Sequence, residues 1–114
     1  MENCLFCQII SRKIPAEVVF EDERLLAFRD IEPKAPIHIL IIPKVHISTL
    51  DDIKTDHKEL VGHIIKVASE LARVEGISDT GYRTVFNCKK DGGQTVYHIH
   101  LHLLGGRELT WPPG

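Results

Sequence analysis

The chain has 114 residues, 43% hydrophobic and 26% charged, ordinary globular values that set a single domain over residues 1–114 with one core. A formal net charge of −2 leaves no basic footprint, which argues against a nucleic-acid polymer as partner and leaves a small anionic ligand open. No apolar run approaches the roughly 20 residues of a membrane span, and Met1-Glu2-Asn3-Cys4 lacks a basic leader, so the expected location is the cytoplasm, with no membrane partner.

The first element is a short helical turn over residues 5–11, stopped by Pro15. It carries two of the three cysteines as Cys4-Leu5-Phe6-Cys7, a usage that argues against a disulfide framework and for a metal pair or reduced thiols. Residues 18–21 and 25–30 read as strands joined by the Asp22-Glu23 turn. His38-Ile39-Leu40-Ile41-Ile42, bounded by Pro36 and Pro43, is a near-continuous apolar run that fits a mid-sheet strand buried on both faces.

From 56 to 75 the residues Leu60, Val61, Ile64, Ile65, Ala68, Leu71 and Ala72 recur at helical spacing and predict the one long helix. Asp56 and Glu59 resemble a capping box, and Gly76 supplies the stop. His57 and His63 on this helix have no obvious partner in sequence and read as solvated. Residues 82–88 predict a strand, 89–94 a glycine-bearing turn and 96–104 a last strand, the two strands pairing as a hairpin. The whole is an α+β fold: an antiparallel sheet of about five strands, one long helix on one face, a short N-terminal helix, and a polar face left open.

That last segment is the most informative. In Tyr97-His98-Ile99-His100-Leu101-His102-Leu103-Leu104 a strand places three imidazoles on one side and Ile99, Leu101 and Leu103 on the other. Imidazoles about 6.6 Å apart compete for partners and repel when protonated, so such a row points to a metal site or to imidazole catalysis. Cys88, alternating within an apolar strand, reads as a small buried hydrophobe.

The run from His98 to Leu104 matches the His-φ-His-φ-His-φ-φ signature of histidine-triad proteins. Ile14-Pro15-Ala16, Phe20-Glu21-Asp22, Phe28-Arg29-Asp30-Ile31, Ala35-Pro36-Ile37-His38, Ile42-Pro43-Lys44-Val45-His46-Ile47-Ser48, Asp91-Gly92-Gly93-Gln94-Thr95-Val96 and Trp111-Pro112-Pro113-Gly114 extend the match over nearly the whole chain. Together they resemble the branch called histidine-triad nucleotide-binding proteins.

The resemblance implies hydrolysis of the phosphorus–nitrogen bond of purine nucleoside 5′-phosphoramidates through a nucleotidyl-histidine intermediate. His100 maps onto the family nucleophile, with a backbone carbonyl fixing its tautomer. His102 maps onto a phosphoryl contact and His38 onto a histidine behind the nucleophile. Gly93, Gln94 and Thr95 match the phosphate wrap, where Thr95 replaces the commoner serine but keeps the hydroxyl. Asn87 matches a polar side chain beside the phosphate and Asp30 the acceptor for the ribose hydroxyls. Leu5, Phe6, Phe28 and Ile31 match the purine pocket. Cys4, Cys7, His46 and His98 match a structural Zn²⁺ site of the family, although the chemistry itself requires no metal.

The resemblance further implies a homodimer through the long helix and the 82–88 strand; Trp111, a large amphipathic ring followed by two prolines that cannot continue a sheet, suits a place on the leaving-group side of a site, the partner's. Competing expectations are dinucleoside polyphosphate hydrolysis and a nucleotide-binding adaptor with little catalysis. A third is a hydrolase whose catalytic zinc is held by His98, His100 and another ligand.

Overall fold

The computed structural model describes residues 3–114. Helix α1 (Leu5–Ile10) begins at Cys4, whose Sγ accepts from the Cys7 N–H at 3.4 Å. Strands β1 (Val18–Glu21), β2 (Leu25–Arg29) and β3 (Ile37–Pro43) follow, then helix α2 (Lys58–Val74), β4 (Tyr82–Phe86) and β5 (Leu101–Gly105). The five strands form one antiparallel sheet in the order β1-β2-β3-β5-β4, so the apolar run of β3 is the central strand.

Both faces of that strand are buried, each by a different helix. Ile39 and Ile41 join Leu101 and Leu103 of β5 under Ile64, Val67, Ala68, Leu71 and Ala72 of α2, whose spacing gives a single apolar stripe. Leu40 and Ile42 face the other way and pack with Leu26 and Phe28 beneath Cys4, Phe6 and Ile9 of α1. The face expected to be polar and open is therefore partly closed, because His98 and His100 are buried against Phe6 of α1 while His102 stays half-buried.

The histidine strand is shorter than alternation implied. Pairing of β3 with β5 begins at Ile41–Leu101, and β3 ends at Pro43, which has no N–H to continue a ladder. His98, at the end of a bend, and His100 thus lie in irregular chain just before β5, tied to the body by the Ile99 N–H donating to Ile47 O at 2.8 Å. Likewise β4 ends at Phe86, before Cys88.

The capping box expected at Asp56 and Glu59 does not form. Residues 55–57 make a turn of 3-10 helix, and α2 enters from His57 with no side-chain cap. The N–H and hydroxyl of Thr49 instead both donate to the Asp52 carboxylate, at 3.1 and 2.8 Å. Gly76 does end the helix as expected, with φ +77°. His63 is not free: its Nε2 lies 2.6 Å from Asp22 Oδ2 in the β1–β2 turn, a contact across 41 residues that no local pattern encodes.

Candidate active site and metal cluster

The N-terminus of α1, the loop after β3 and the segment before β5 converge on a four-residue cluster. Cys4 Sγ lies 3.4 Å from His98 Nδ1, Cys7 Sγ 3.4 Å from His46 Nδ1 and 3.6 Å from His98 Nδ1. All four ligand atoms lie within 4.8 Å of one another. A tetrahedral zinc with ordinary Zn–S and Zn–N bonds separates its ligands by about 3.6 Å, so the donor set and spacing fit that ion.

The far ring nitrogens are held as well. His98 Nε2–H donates to Pro43 O at 2.7 Å, which leaves the Nδ1 lone pair facing the thiols, and His46 Nε2 meets the Ser48 hydroxyl at 3.1 Å, a partner able to accept from Nε2–H when Nδ1 binds a metal. Full burial lowers the pKa of His98 to about 4, while burial and the neighbouring Cys4 thiol push the Cys7 thiol up. A metal would relieve the second effect by taking the thiolate directly. With Nδ1 facing the thiols and Nε2 on Pro43, His98 cannot also share a catalytic zinc with His100.

The remaining histidines form a chain with assignable protons. The Lys34 N–H donates to His38 Nδ1 at 3.0 Å, so the neutral His38 ring carries its proton on Nε2 and donates it to His102 Nδ1 at 2.9 Å. His102 then holds its own proton on Nε2, an atom that is buried and, among the described residues, has no partner. His100 is set the opposite way. Its Nδ1–H donates to His98 O at 2.8 Å, which leaves a lone pair on Nε2.

One ring thus offers a nucleophile and its neighbour, with ring centroids 4.9 Å apart, offers a donor. Burial keeps these rings neutral: it lowers His102 to about 4, with help from His100 and His38, and lowers His100 and His38 less. Asp30 Oδ2 sits 3.5 Å from His38 Nε2, and its Oδ1 accepts from the Glu32 N–H at 2.8 Å. Asp30, His38 and His102 converge closely enough to suit a cation, but the Lys34 N–H already holds His38 with its proton on Nε2, so they read as a hydrogen-bonded relay.

Phe6 packs edge-on against His100, His98 and Phe28, with centroids 5.0, 5.9 and 5.5 Å away. Leu5 is 44% and Ile31 92% exposed, apolar surface beside the buried Phe6 and Phe28. The 89–94 loop is tied to the segment after β3 through Ser48 and Asp51. Gln94, an expected phosphate contact, has its side chain turned inward: it accepts from the Lys89 N–H at 2.8 Å and donates to Ser48 O and Val96 O at 2.8 and 3.1 Å.

Gly93 has φ +81°, a left-handed conformation that suits glycine, and both Gly93 and Thr95 are exposed. Thr95 also lines a cavity of about 430 Å³ with Asn3, Leu5, Ser48 and Tyr97, which neither His100 nor His102 reaches. Asn87 is half-buried just past β4. The contacts of the Lys34 amide, the Pro43 carbonyl and the Lys89–Asp51 pair were not predicted, the first two being backbone groups that carry no residue signature.

Comparison with known proteins places this geometry. Residues 3–109 match the family model described as scavenger mRNA decapping enzyme C-term binding. The chain is 50% identical to the purine nucleoside phosphoramidase of Escherichia coli K12 over 108 residues, 95% of this chain and 91% of that one. It is 53% identical to a 14 kDa zinc-binding protein of Zea mays over 112 residues, 96% and 87% of the two chains. The crystal structure of a HIT family hydrolase from Legionella pneumophila Philadelphia 1 superposes with a TM-score of 0.97 at 62% identity, covering 98% of this chain and 100% of that one. With the family model spanning nearly the whole sequence and the match extending over the relatives' own lengths, the chain belongs to the histidine-triad (HIT) family, on its nucleotide-binding branch.

Proposed function

We propose that this chain hydrolyses the phosphorus–nitrogen bond of purine nucleoside 5′-phosphoramidates through a nucleotidyl intermediate on His100. The observation that carries the reading is the opposed protonation of two adjacent rings: a lone pair on His100 Nε2 and, on His102 Nε2, a donor without a partner among the described residues. The His100 Nε2 lone pair forms a bond to phosphorus as the phosphorus–nitrogen bond breaks, and the departing nitrogen takes a proton from solvent water. A water then adds its oxygen to phosphorus as the phosphorus–imidazole bond breaks, its proton returning to solvent and neutral His100 being regenerated. The His102 donor and the 93–95 backbone meet the charge on the phosphoryl oxygens, Asp30 accepts from the ribose, and Phe6 and Phe28 face the purine. Of the approximately four lone-pair sites of Asp30, one accepts from the Glu32 N–H, which leaves room for that bond.

Zinc at Cys4, Cys7, His46 and His98 is read as structural, joining α1 to the loop after β3. The chain is further read as a homodimer through α2 and β4, with Trp111 serving the partner's leaving-group side. Trp111 is 82% exposed on a single chain, and the tail is tied to β4 by Arg83 donating to Thr110 O at 2.9 Å.

The test is His100→Ala with adenosine phosphoramidate and a diadenosine polyphosphate measured side by side. The variant should lose at least about a hundredfold in kcat while still binding AMP, since losing a nucleophile costs several kcal/mol. Residual turnover above that level would refute the covalent step, and a preference for the dinucleotide would refute the substrate class.

A further inference from the structure

The segment carrying the nucleophile lies outside the sheet ladder. Between the end of β3 at Pro43 and the start of β5 at Leu101, the backbone of 98–100 makes, among the described residues, one backbone–backbone bond, Ile99 N–H to Ile47 O. The Ile99 side chain, buried in the core beneath α2, anchors its middle, and the His98 ring anchors its start, fully buried, with Nε2–H on Pro43 O and Nδ1 among the two thiols. The carbonyl of this same residue accepts the His100 Nδ1–H that leaves the lone pair on Nε2. Phe6, carried between Cys4 and Cys7, abuts both rings.

We propose that His98 is a positioning residue through which metal occupancy of the Cys4, Cys7 and His46 cluster fixes the tautomer and aim of the His100 ring. The inference rests on the zinc and phosphoramidase readings above. With a metal at the centre, the His98 ring direction is set by a coordination bond and a hydrogen bond at opposite edges, and the peptide that follows can turn little. Without it, Nδ1 has only weak thiol contacts at 3.4 and 3.6 Å. The carbonyl of His98 can then swing away, and an unanchored imidazole prefers neither nitrogen strongly. A ring that carries its proton on Nε2 cannot attack phosphorus with that atom.

The test uses untagged protein, its zinc content measured by elemental analysis, with ¹⁵N-labelled histidine. Long-range imidazole spectra and kcat are recorded for the zinc-loaded, chelated and zinc-readded protein, with amide dispersion reporting the fold. Loading should hold His100 as a single tautomer with its proton on Nδ1. Chelation of the still-folded chain should give a mixture and lower kcat at least tenfold, and zinc alone should restore both.

If chelation unfolds the chain, Cys7→Ser titrated with zinc serves in its place, and the tautomer fraction should track occupancy. An unchanged His100 tautomer and kcat in folded, zinc-free protein overturns the proposal. A chain that never takes up zinc overturns the zinc reading and this one together. A tautomer that follows zinc without any phosphoramidate turnover overturns the phosphoramidase reading alone.

Discussion

His100 is pulled two ways: burial disfavours its charged form, while the bond from Nδ1–H to His98 O favours it, and burial wins. Because the attacking ring must be neutral, activity is present above its depressed pKa and lost as pH falls through it. The acid limb of kcat/KM should therefore have an apparent midpoint below 6.5, as a property of the coupled rings; a midpoint above 6.5 would contradict the burial account. Stability should follow the same sense. The unfolded His102 takes a proton near 6.5 and the folded one near 4, so in that window the unfolded chain binds more protons and stability falls with falling pH, by up to about 1.4 kcal/mol per unit for this ring. Denaturant titrations at pH 7 and 5 measure it. The row of three imidazoles was legible because its spacing is covalent. What decides their protonation was not, since Lys34 N–H, His38 and His102 meet only after β3 and β5 pair across 64 residues.

At the scale of elements, the 89–94 loop is a built turn. A Cβ on Gly92 would sit 2.5 Å from Cys88 O and 2.8 Å from Cys88 N, backbone atoms that cannot rotate aside, and the turn would have to open. Gly92→Ala should lower kcat/KM about tenfold or more by displacing Gly93 and Thr95, while moving the melting temperature little because the loop lies outside both core clusters. Wild-type activity in that variant would show that the loop does not position the phosphate. Gln94 illustrates a limit of motif reading: the sequence marks the residue but not whether its side chain or its backbone is used. Element order, the central strand and the α2 stripe were legible from apolar periodicity. The start of β5 and the true capping box were not, because Pro43 and the Thr49–Asp52 pair end or cap elements through contacts that periodicity does not register.

Across the whole molecule, α2 and β4 leave apolar surface outward, with Val74 78%, Ile65 49% and Tyr82 39% exposed and β4 at the sheet edge. Pairing two copies across this surface would cover both, so sedimentation at micromolar concentration should give about twice the 12.9 kDa chain mass; a single-chain mass would contradict the dimer reading. The two faces of the sheet also differ in what secures them. One is covered by the 17 residues of α2, the other by the six of α1, too few to persist as a helix without tertiary help. In the chain without zinc to join it to the loop after β3, α1 is expected to open locally before the sheet does. Its amides, unlike those of β3, should exchange with solvent deuterium through local detachment, far faster than global unfolding allows. The six residues that cover His98 and His100 are also the shortest helix over the sheet, so a ligand resting against Phe6 should slow their exchange selectively.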